Sequence, residues 1–265
     1  MTHIPASNLT PSLKESLSLL VADCQRAEPL TLSLPEDADD FLVQFDEPGD
    51  PSLPSASLSP LAFLGICRVS PELWECYGFT HPSRRRQGLF SLLLDALDSL
   101  VQKEEEKGNR EIQLVFLSDQ RSSDGLAAGK ALGMEYWYSE YQMELSLEQW
   151  SRAPLQKREL SLKKTWVQEE SGEYWDFQAY SAKGEPIGSC RLLPYSPSRY
   201  YLYHVEISPA LRGKGWGAAL LQAVFLPLPS RGSIFLQVSS DNAPALALYK
   251  KTGFRITEAL SYFLY

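Results

Sequence analysis

The chain has 265 residues, 44% of them hydrophobic, so it is long enough for one large domain or two small ones with real cores. Its formal net charge of −8 argues against nucleic acid as a partner and is compatible with a small cationic amine. Four scattered cysteines show no CxxC or histidine-rich spacing, which predicts buried free thiols, no metal site and no disulfide framework. No apolar run reaches membrane-spanning length and residues 1–11 lack the features of a signal peptide, so we predict a cytoplasmic protein with no membrane partner.

The first part of the chain predicts two helices around a set of strands. Leucine and valine spacing over residues 13–21 predicts an amphipathic helix that ends before Pro29. Runs rich in β-branched and aromatic residues predict strands at Phe41–Phe45, Leu61–Val69 and Leu73–Thr80. The first two are separated by a loop over residues 46–60, whose Pro, Ser and Gly content forbids regular structure. After Pro82, apolar spacing from Phe90 to Val101 predicts a strongly amphipathic helix.

The segment around residue 150 predicts a domain boundary. Residues 146–157 carry no clear periodicity and include a proline, so we expect one domain at 1–148, a linker at 149–160 and a second domain at 161–265. The second domain begins with the strands of a predicted meander, at Thr165–Gln168, Tyr174–Ser181 and Pro186–Leu193.

The most informative stretch runs from Tyr200 to Gly217. Tyr200–Ile207 predicts a strand that Pro209 ends, and a glycine-rich turn then opens an apolar-periodic helix. The first N–H groups of a helix have no intrahelical partner and lie at the positive end of its dipole, so this turn predicts a phosphate site. Gly215 and Gly217 would let the ligand approach the backbone closely.

The glycine spacing excludes two common phosphate motifs. No GK[ST] ends the turn, as a P-loop requires, and a Rossmann fingerprint would need a third glycine and a later acidic residue. Arg212-x-x-Gly215-x-Gly217 instead resembles the acyl-CoA pyrophosphate loop of the GNAT (Gcn5-related N-acetyltransferase) superfamily. A second GNAT-like motif follows a short apolar strand at Ser233–Val238, and its residues are Asn242, Ala245, Tyr249, Gly253 and Phe254.

The loop and its flanking elements are repeated earlier in the chain. Arg85-x-x-Gly88-x-Phe90 matches the later loop, and a strand at Ile112–Leu117 and a helix at Asp124–Leu132 follow it in the same order. With the resemblance, this repeat implies an α+β (mixed α/β) fold with two tandem GNAT-like domains. Each is expected to be a mostly antiparallel twisted sheet flanked by helices, with a splayed central strand pair.

The first copy departs from the pattern at the positions that carry chemistry. Gly129 stands where the second copy has Tyr249, Ser122 where it has Asn242, and Phe90 where it has a glycine. We therefore expect the first domain to be a degenerate copy, with Phe90 crowding the pyrophosphate. The adjacent triplet Arg84, Arg85 and Arg86 either holds an anion by charge or is a solvated basic turn.

The resemblance implies a cofactor site for acetyl-CoA in the second domain. Main-chain groups of Val205, Glu206 and Ile207 are expected to pair with the pantetheine arm and to polarise the thioester carbonyl. The pyrophosphate would lie on Arg212, Gly213, Lys214, Gly215, Trp216 and Gly217. Tyr249 occupies the family's general-acid position, against the alternative of a core tyrosine, and Asn242 is a helix cap, a cofactor contact or both.

The general base stays open between His204 and Glu206. His204 has a suitable pKa and Glu206 a suitable charge, whereas Tyr201 is a poor base at neutral pH. Simple strand alternation places both candidates on one face, with Tyr201, Tyr203 and Val205 on the other, unless a β-bulge resets the alternation. A water-relayed distant carboxylate is a further possibility.

These observations predict an N-acetyltransferase that moves an acetyl group from acetyl-CoA to a primary amine by direct attack in a ternary complex. The alternative is a non-catalytic acyl-CoA-binding regulatory or scaffold protein. No motif identifies the acceptor, which is a small amine or the amine of a peptide or protein, and the oligomeric state is open.

Overall fold

A computed structural model describes residues 1–46, 59–150, 158–169 and 172–265, and it consists of two compact units. Unit 1 comprises Met1–Tyr138 and Leu260–Tyr265, and unit 2 comprises Ser139–Ala259. The expected domain boundary near residue 150 differs from this division, because residues directly before it belong to unit 2 and the C-terminal residues to unit 1. Most of the loop expected at 46–60 and part of the linker expected at 149–160 lie outside the described residues. The described helices include none that is long and apolar enough to cross a membrane.

The described part of unit 1 contains three α-helices and a sheet whose strand order is β1-β2-β3-β4-β5-β12, where β12 is Arg255–Leu264. Its elements are β1 (Thr2–Pro5), α1 (Pro11–Ala27), β2 (Asp40–Phe45), β3 (Pro60–Ser70), β4 (Leu73–Thr80), α2 (Leu89–Gly108), β5 (Gln113–Asp119), α3 (Ser123–Ala131) and the start of β6 (Glu135–Ser146). All neighbouring pairs are antiparallel except β4 and β5, which are parallel. Helix α1 buries Leu17 against Phe63 and Phe79 on one face, and α2 buries Leu93 with Leu64 on the other.

The described part of unit 2 contains two α-helices and a sheet whose strand order is β6-β11-β10-β9-β8-β7. Its further elements are β7 (Leu160–Glu169), β8 (Gly172–Ser181), β9 (Pro186–Ser196), β10 (Arg199–Ile207), α4 (Trp216–Phe225), β11 (Ser233–Ser239), α5 (Ala243–Thr252) and most of β12 (Arg255–Leu264). Only β10 and β11 pair in parallel. Helices α4 and α5 pack in one core with the same sheet face, where Leu202, Leu221, Phe225 and Tyr249 are buried.

One strand of each sheet comes from a distant part of the chain. In unit 1, β5 pairs with the C-terminal residues Leu260–Leu264 of β12. In unit 2, β11 pairs with Glu140–Ser146 of β6, the strand that follows α3 in the chain. Sequence analysis predicted none of β1, β6 and β12. Their pairing depends on partners far away in the sequence, which local residue patterns do not identify.

The predicted repeat and the mixed α/β class are confirmed by these elements. In both units an amphipathic helix starts at a glycine in the left-handed region, Gly88 with φ 81° and Gly215 with φ 83°. In both, the following helix is capped by a polar side chain, Ser122 or Asn242, that accepts a bond from a backbone N–H. All four cysteines are buried free thiols, as expected.

Candidate functional site

The two parallel strands at the centre of unit 2 separate after a short contact. Arg199–Tyr201 of β10 pairs with Ser233–Phe235 of β11, and from Leu202 onward β10 has no described pairing with β11. Strand β11 continues to Ser239, paired on its other edge with β6. The backbone of β10 therefore borders an open gap. In unit 1 the equivalent strands stay paired further, over Leu73–Tyr77.

A β-bulge interrupts β10 beside this gap. The register with β9 shifts between Tyr203 and Glu206, and His204 adopts φ 49°, a value that is uncommon for a residue with a side chain. Strand β9 approaches closely here, since a Cβ atom at Gly188 would lie 2.2 Å from the carbonyl oxygen of Glu206. The pairing of β3 with the matching part of β4 runs without a shift from Cys76 to Thr80. The bulge is thus a feature of the second copy.

The bulge resets the alternation of side chains along β10. Before it, Leu202 faces the core formed with α4, and after it Val205 and Ile207 do so. Glu206 therefore lies on the opposite face, with Tyr201 and Tyr203. The prediction from simple alternation, which put Val205 with the tyrosines, is wrong, and the bulge that sequence analysis named as the alternative is the reason.

Both candidate bases are solvent-exposed. His204 lies in the bulge, with its ring centroid 5.3 Å from that of Tyr203. Glu206 lies two residues further along, on the face without α4 and α5. Burial raises the pKa values of the Tyr201 and Tyr203 phenols, so both rings stay protonated at neutral pH and are unsuitable as bases.

A hydrogen bond crosses the gap near its closed end. The Tyr201 hydroxyl donates to Oε1 of Gln237 on β11 at 3.2 Å, and the Tyr201 ring stacks on Phe235 at 5.1 Å between centroids. Sequence analysis missed Gln237, although it is the single polar residue in the run Ile234–Val238 and that was the available signal. It also missed Gly188, whose signal was a glycine within a predicted strand.

The glycine-rich loop follows β10 and leads into α4. Gly213 and Gly215 have φ of 72° and 83°, and α4 begins at Trp216, so the N–H groups of its first turn have no intrahelical partner. Arg212 Nε donates to the carbonyl of Ile207 at 3.1 Å, and Lys214 Nζ to that of Ala210 at 2.8 Å. Neither cation forms an ion pair with a described carboxylate, so their positive charge is available to an anion.

The matching loop of unit 1 has a similar backbone. Arg86 takes the place of Gly213 with φ 60°, and Gly88 the place of Gly215. Arg85 Nε donates to the carbonyl of Thr80 at 3.3 Å, and this bond matches the one from Arg212 to Ile207 in unit 2. The two loops therefore share their conformation.

The arginines of this first loop are all ion-paired. The pairs are Arg84–Asp46 at 3.0 Å, Arg85–Glu28 and Arg85–Asp124 at 2.8 Å each, and Arg86–Asp124 at 3.3 Å. Arg85 is the most buried of the three guanidinium groups. Sequence analysis left open whether the triplet holds an anion or is a solvated turn. In the structure, these arginines form ion pairs with carboxylates of the protein itself.

Phe90 packs inside unit 1 against Gly78 and Phe116. Its ring lies over Gly78, where an added Cβ would be 2.5 Å from Cε2, and it meets Phe116 edge-on at 6.3 Å. In unit 2 an added Cβ at Gly217 would instead be 2.9 Å from Leu248 of α5. The expectation that Phe90 crowds a pyrophosphate stays a prediction.

Tyr249 lies on α5 within the core of unit 2. It is 7% exposed, and its ring contacts Phe254 with centroids 5.6 Å apart. Burial, with smaller contributions from Cys190 and Tyr201, raises the pKa of its phenol to about 12. Asn242 caps α5, since its Oδ1 accepts from the Ala245 N–H at 3.2 Å. Its expected cofactor contact remains a prediction.

A cysteine of unit 2 is unsuited to form an acyl-enzyme. Cys190 is fully buried, and burial raises the pKa of its thiol to about 12, so the reactive thiolate is absent at neutral pH. Within the described ranges, no group of three or more His, Cys, Asp or Glu side chains is arranged to hold a metal ion.

Comparison with known proteins finds a family match over part of the chain and several similar proteins. Residues 131–254 match the family described as Acetyltransferase (GNAT) family. A mycothiol acetyltransferase of Corynebacterium glutamicum (strain R) is 26% identical over 238 residues, which cover 74% of this chain and 76% of that protein. The N-alpha-acetyltransferase RimI of Mycobacterium tuberculosis is 37% identical over 68 residues, 26% of this chain and 42% of that protein.

Two solved structures share the fold over the whole chain. A GCN5-related N-acetyltransferase from Sphaerobacter thermophilus aligns with a TM-score of 0.72 and 15% identity, covering 100% of this chain and 95% of that one. A tandem GNAT protein from the clavulanic acid biosynthesis pathway aligns with a TM-score of 0.63 and 14% identity, covering 100% and 98%. At these identities the likeness concerns the fold alone.

Proposed function

We propose that unit 2 moves an acetyl group from acetyl-CoA to a primary amine, and the match of residues 131–254 to the Acetyltransferase (GNAT) family supports this. The observation that carries this proposal is the bulge at His204, which borders the gap between β10 and β11. The matching stretch of unit 1 has no such bulge. Unit 2 therefore combines an exposed strand edge with an anion-binding loop.

The residues around the gap fit acetyl-CoA. The loop from Gly213 to Gly217 supplies backbone N–H groups at a helix start, and Arg212 and Lys214 supply cations without acidic partners. These groups suit a pyrophosphate. The β11-facing edge of β10 beyond Tyr201 supplies main-chain groups for the pantetheine arm. Acetyl-CoA would bring the acetyl group as a thioester.

The protein's side chains would then move two protons. The amine nitrogen forms a bond to the acetyl carbon, the carbon–sulfur bond breaks, and the amine loses a proton to a base. Glu206 and His204 are the candidates for this base, because both lie on β10 beside the gap and are exposed. Tyr249 holds the proton that the departing thiolate needs, and its pKa of about 12 keeps the phenol protonated at neutral pH.

Direct attack is favoured over an acyl-enzyme. Cys190 is a protonated, buried thiol, and Tyr201 and Tyr203 have raised pKa values, so these three side chains offer no nucleophile at neutral pH. A sequential mechanism, in which both substrates bind before reaction, follows from this.

The proposal is tested by coenzyme A release with a panel of primary amines, with the acetylated product identified by mass. The substrate of the mycothiol acetyltransferases belongs on the panel, because relatives carry that name. We expect turnover with at least one amine and intersecting initial-rate lines. Parallel lines would contradict direct attack. Acetyl-CoA binding without turnover of any amine would favour a regulatory or scaffold protein.

The same assay can identify which of the two residues is the general base. Glu206→Gln and His204→Gln are compared, and the variant that lacks the true base should lose roughly 10²-fold or more of turnover. The other variant serves as the matched control, since it changes an exposed neighbour on the same strand.

A further inference from the structure

Unit 1 contains a cavity that the proposed reaction does not use. It has a volume of about 500 Å³ and lies between the loop of residues 84–91, the strands β4 and β5, and helix α3. This volume is within the usual range for a small-molecule site. Its wall is mostly apolar, with Leu30, Leu32, Phe79, Phe116, Met134 and Phe263 among the lining residues.

Two residues of α3 that line the cavity are smaller than their counterparts in unit 2. Gly129 lines it at the position that the sequence motif matches to Tyr249, whose ring fills the core of unit 2. Ala128, at the position of Leu248, also lines it. An added Cβ at Gly129 would meet only the Met134 sulfur, at 3.9 Å. The first atom of a larger side chain would therefore fit at this position without a close contact.

Hydrogen bonds and an ion pair at two acidic residues hold one wall of the cavity in place. Asp119 is 1% exposed and accepts from the N–H of Thr31 at 2.6 Å and from its hydroxyl at 2.8 Å. Glu28 pairs with Arg85 and accepts from Ser122 at 3.3 Å. These bonds fix the segment that carries Leu30 and Leu32. The wall is thus preorganised, which lowers the entropic cost of binding.

The rim of the cavity is electrically balanced. Arg84, Arg85 and Arg86 are each paired with carboxylates, and Asp119 is paired with Arg121 at 3.1 Å. In the described part of the chain, every buried side-chain nitrogen or oxygen has a hydrogen-bond partner. A charged ligand would have to displace existing ion pairs, whereas an uncharged one would not. The loop of unit 2, with Arg212 and Lys214, differs in this respect.

We propose that this cavity is a binding site for an uncharged, predominantly apolar small molecule, separate from the acetyl-CoA site of unit 2. The apolar wall supplies the binding energy by burial of apolar surface. The paired arginines select against phosphate-bearing ligands. The site depends on Gly129 staying small.

The test is a fluorescence titration of the full chain with N-phenyl-1-naphthylamine, an uncharged apolar probe. We expect saturable binding of one probe per chain that excess acetyl-CoA does not reduce. Gly129→Phe should weaken it by roughly tenfold or more, because the new ring occupies the cavity. Lys130→Phe is the matched control, since it adds the same ring at an exposed position of α3 and should leave binding unchanged.

Three results would overturn the proposal. The first is absence of saturable probe binding. The second is displacement of the probe by acetyl-CoA with two acetyl-CoA molecules bound per chain, which would make the cavity a second cofactor site. The third is equal binding by wild type and a folded Gly129→Phe chain. Should that variant fail to fold, Gly129→Leu provides the same comparison with less bulk.

Discussion

Gly217 and Leu248 meet where α4 and α5 pack, and an added Cβ at Gly217 would lie 2.9 Å from Cδ2 of Leu248. In unit 1 the matching residues are Phe90 and Ala128, so the large residue is on the other helix. The phenyl ring there packs over Gly78. The absence of a side chain at Gly217 therefore also allows α4 to pack closely against α5, in addition to its expected role of letting a ligand approach the backbone.

This exchange predicts a coupled pair of substitutions. Gly217→Phe should lower the free energy of unfolding by about 1–3 kcal/mol through overpacking. Adding Leu248→Ala should recover part of that loss, because it makes the space that Ala128 makes in unit 1. Urea unfolding of the two single variants and the double variant measures the coupling. Strictly additive effects would show that the two side chains do not share this space.

Tyr249→Phe should lower turnover by roughly 10²-fold while acetyl-CoA affinity stays within a few-fold, because only the proton-donating hydroxyl is removed. The matched control is Tyr200→Phe, which removes a hydroxyl from a partly buried ring of the same core. Unchanged turnover of the Tyr249 variant with a competent amine would remove its role as general acid.

The pH dependence of turnover follows from the same residue. A general acid works in its protonated form, and the Tyr249 phenol, with its pKa raised to about 12 by burial, keeps that form as the pH rises past the ordinary tyrosine value. We therefore expect no alkaline fall in kcat from this group below pH ~10. Initial rates at saturating substrates would show it. A fall near neutral pH that Tyr249→Phe abolishes would contradict the assignment.

Because the two loops differ in their ion pairs, removing a positive charge should weaken acetyl-CoA binding in the loop of unit 2 and not in the loop of unit 1. Arg212→Gln and Lys214→Gln should each weaken acetyl-CoA binding by roughly tenfold at low salt, because these cations have no described carboxylate partner. Arg86→Gln is the control, since its partner is Asp124. Calorimetric titration of the full chain measures all three. An equal loss with Arg86→Gln would place the anion site in both loops.

The borders of unit 2 predict which fragment folds. A fragment of residues 139–259 keeps Glu140–Ser146, the residues of β6 that pair with β11. A fragment that starts near residue 155 lacks this strand and exposes the edge of β11, so it should aggregate. Size-exclusion chromatography and circular dichroism of both fragments test this. A monomeric, folded fragment from residue 155 would show that the β6 pairing is dispensable.

Local residue patterns were sufficient for most helices, the meander and the glycine-rich loop before α4. The strand Leu73–Thr80 has the predicted bounds, because the residues that favour and end a strand act within a few positions of each other. The repeat was readable for the same reason. A position that requires positive φ can be recognised in the sequence because it favours glycine, as at Gly215.

Three features were decided only by the tertiary structure. Strands β6 and β12 pair with partners distant in sequence, so the borders of the two units could not be read from a composition shift near residue 150. The faces of β10 depend on a bulge at His204, and one inserted residue reverses every later side chain. The ion pairs of Arg84, Arg85 and Arg86 join residues far apart in the chain. The sequence shows that these charges exist, but only folding determines which of them meet and which stay available to a ligand.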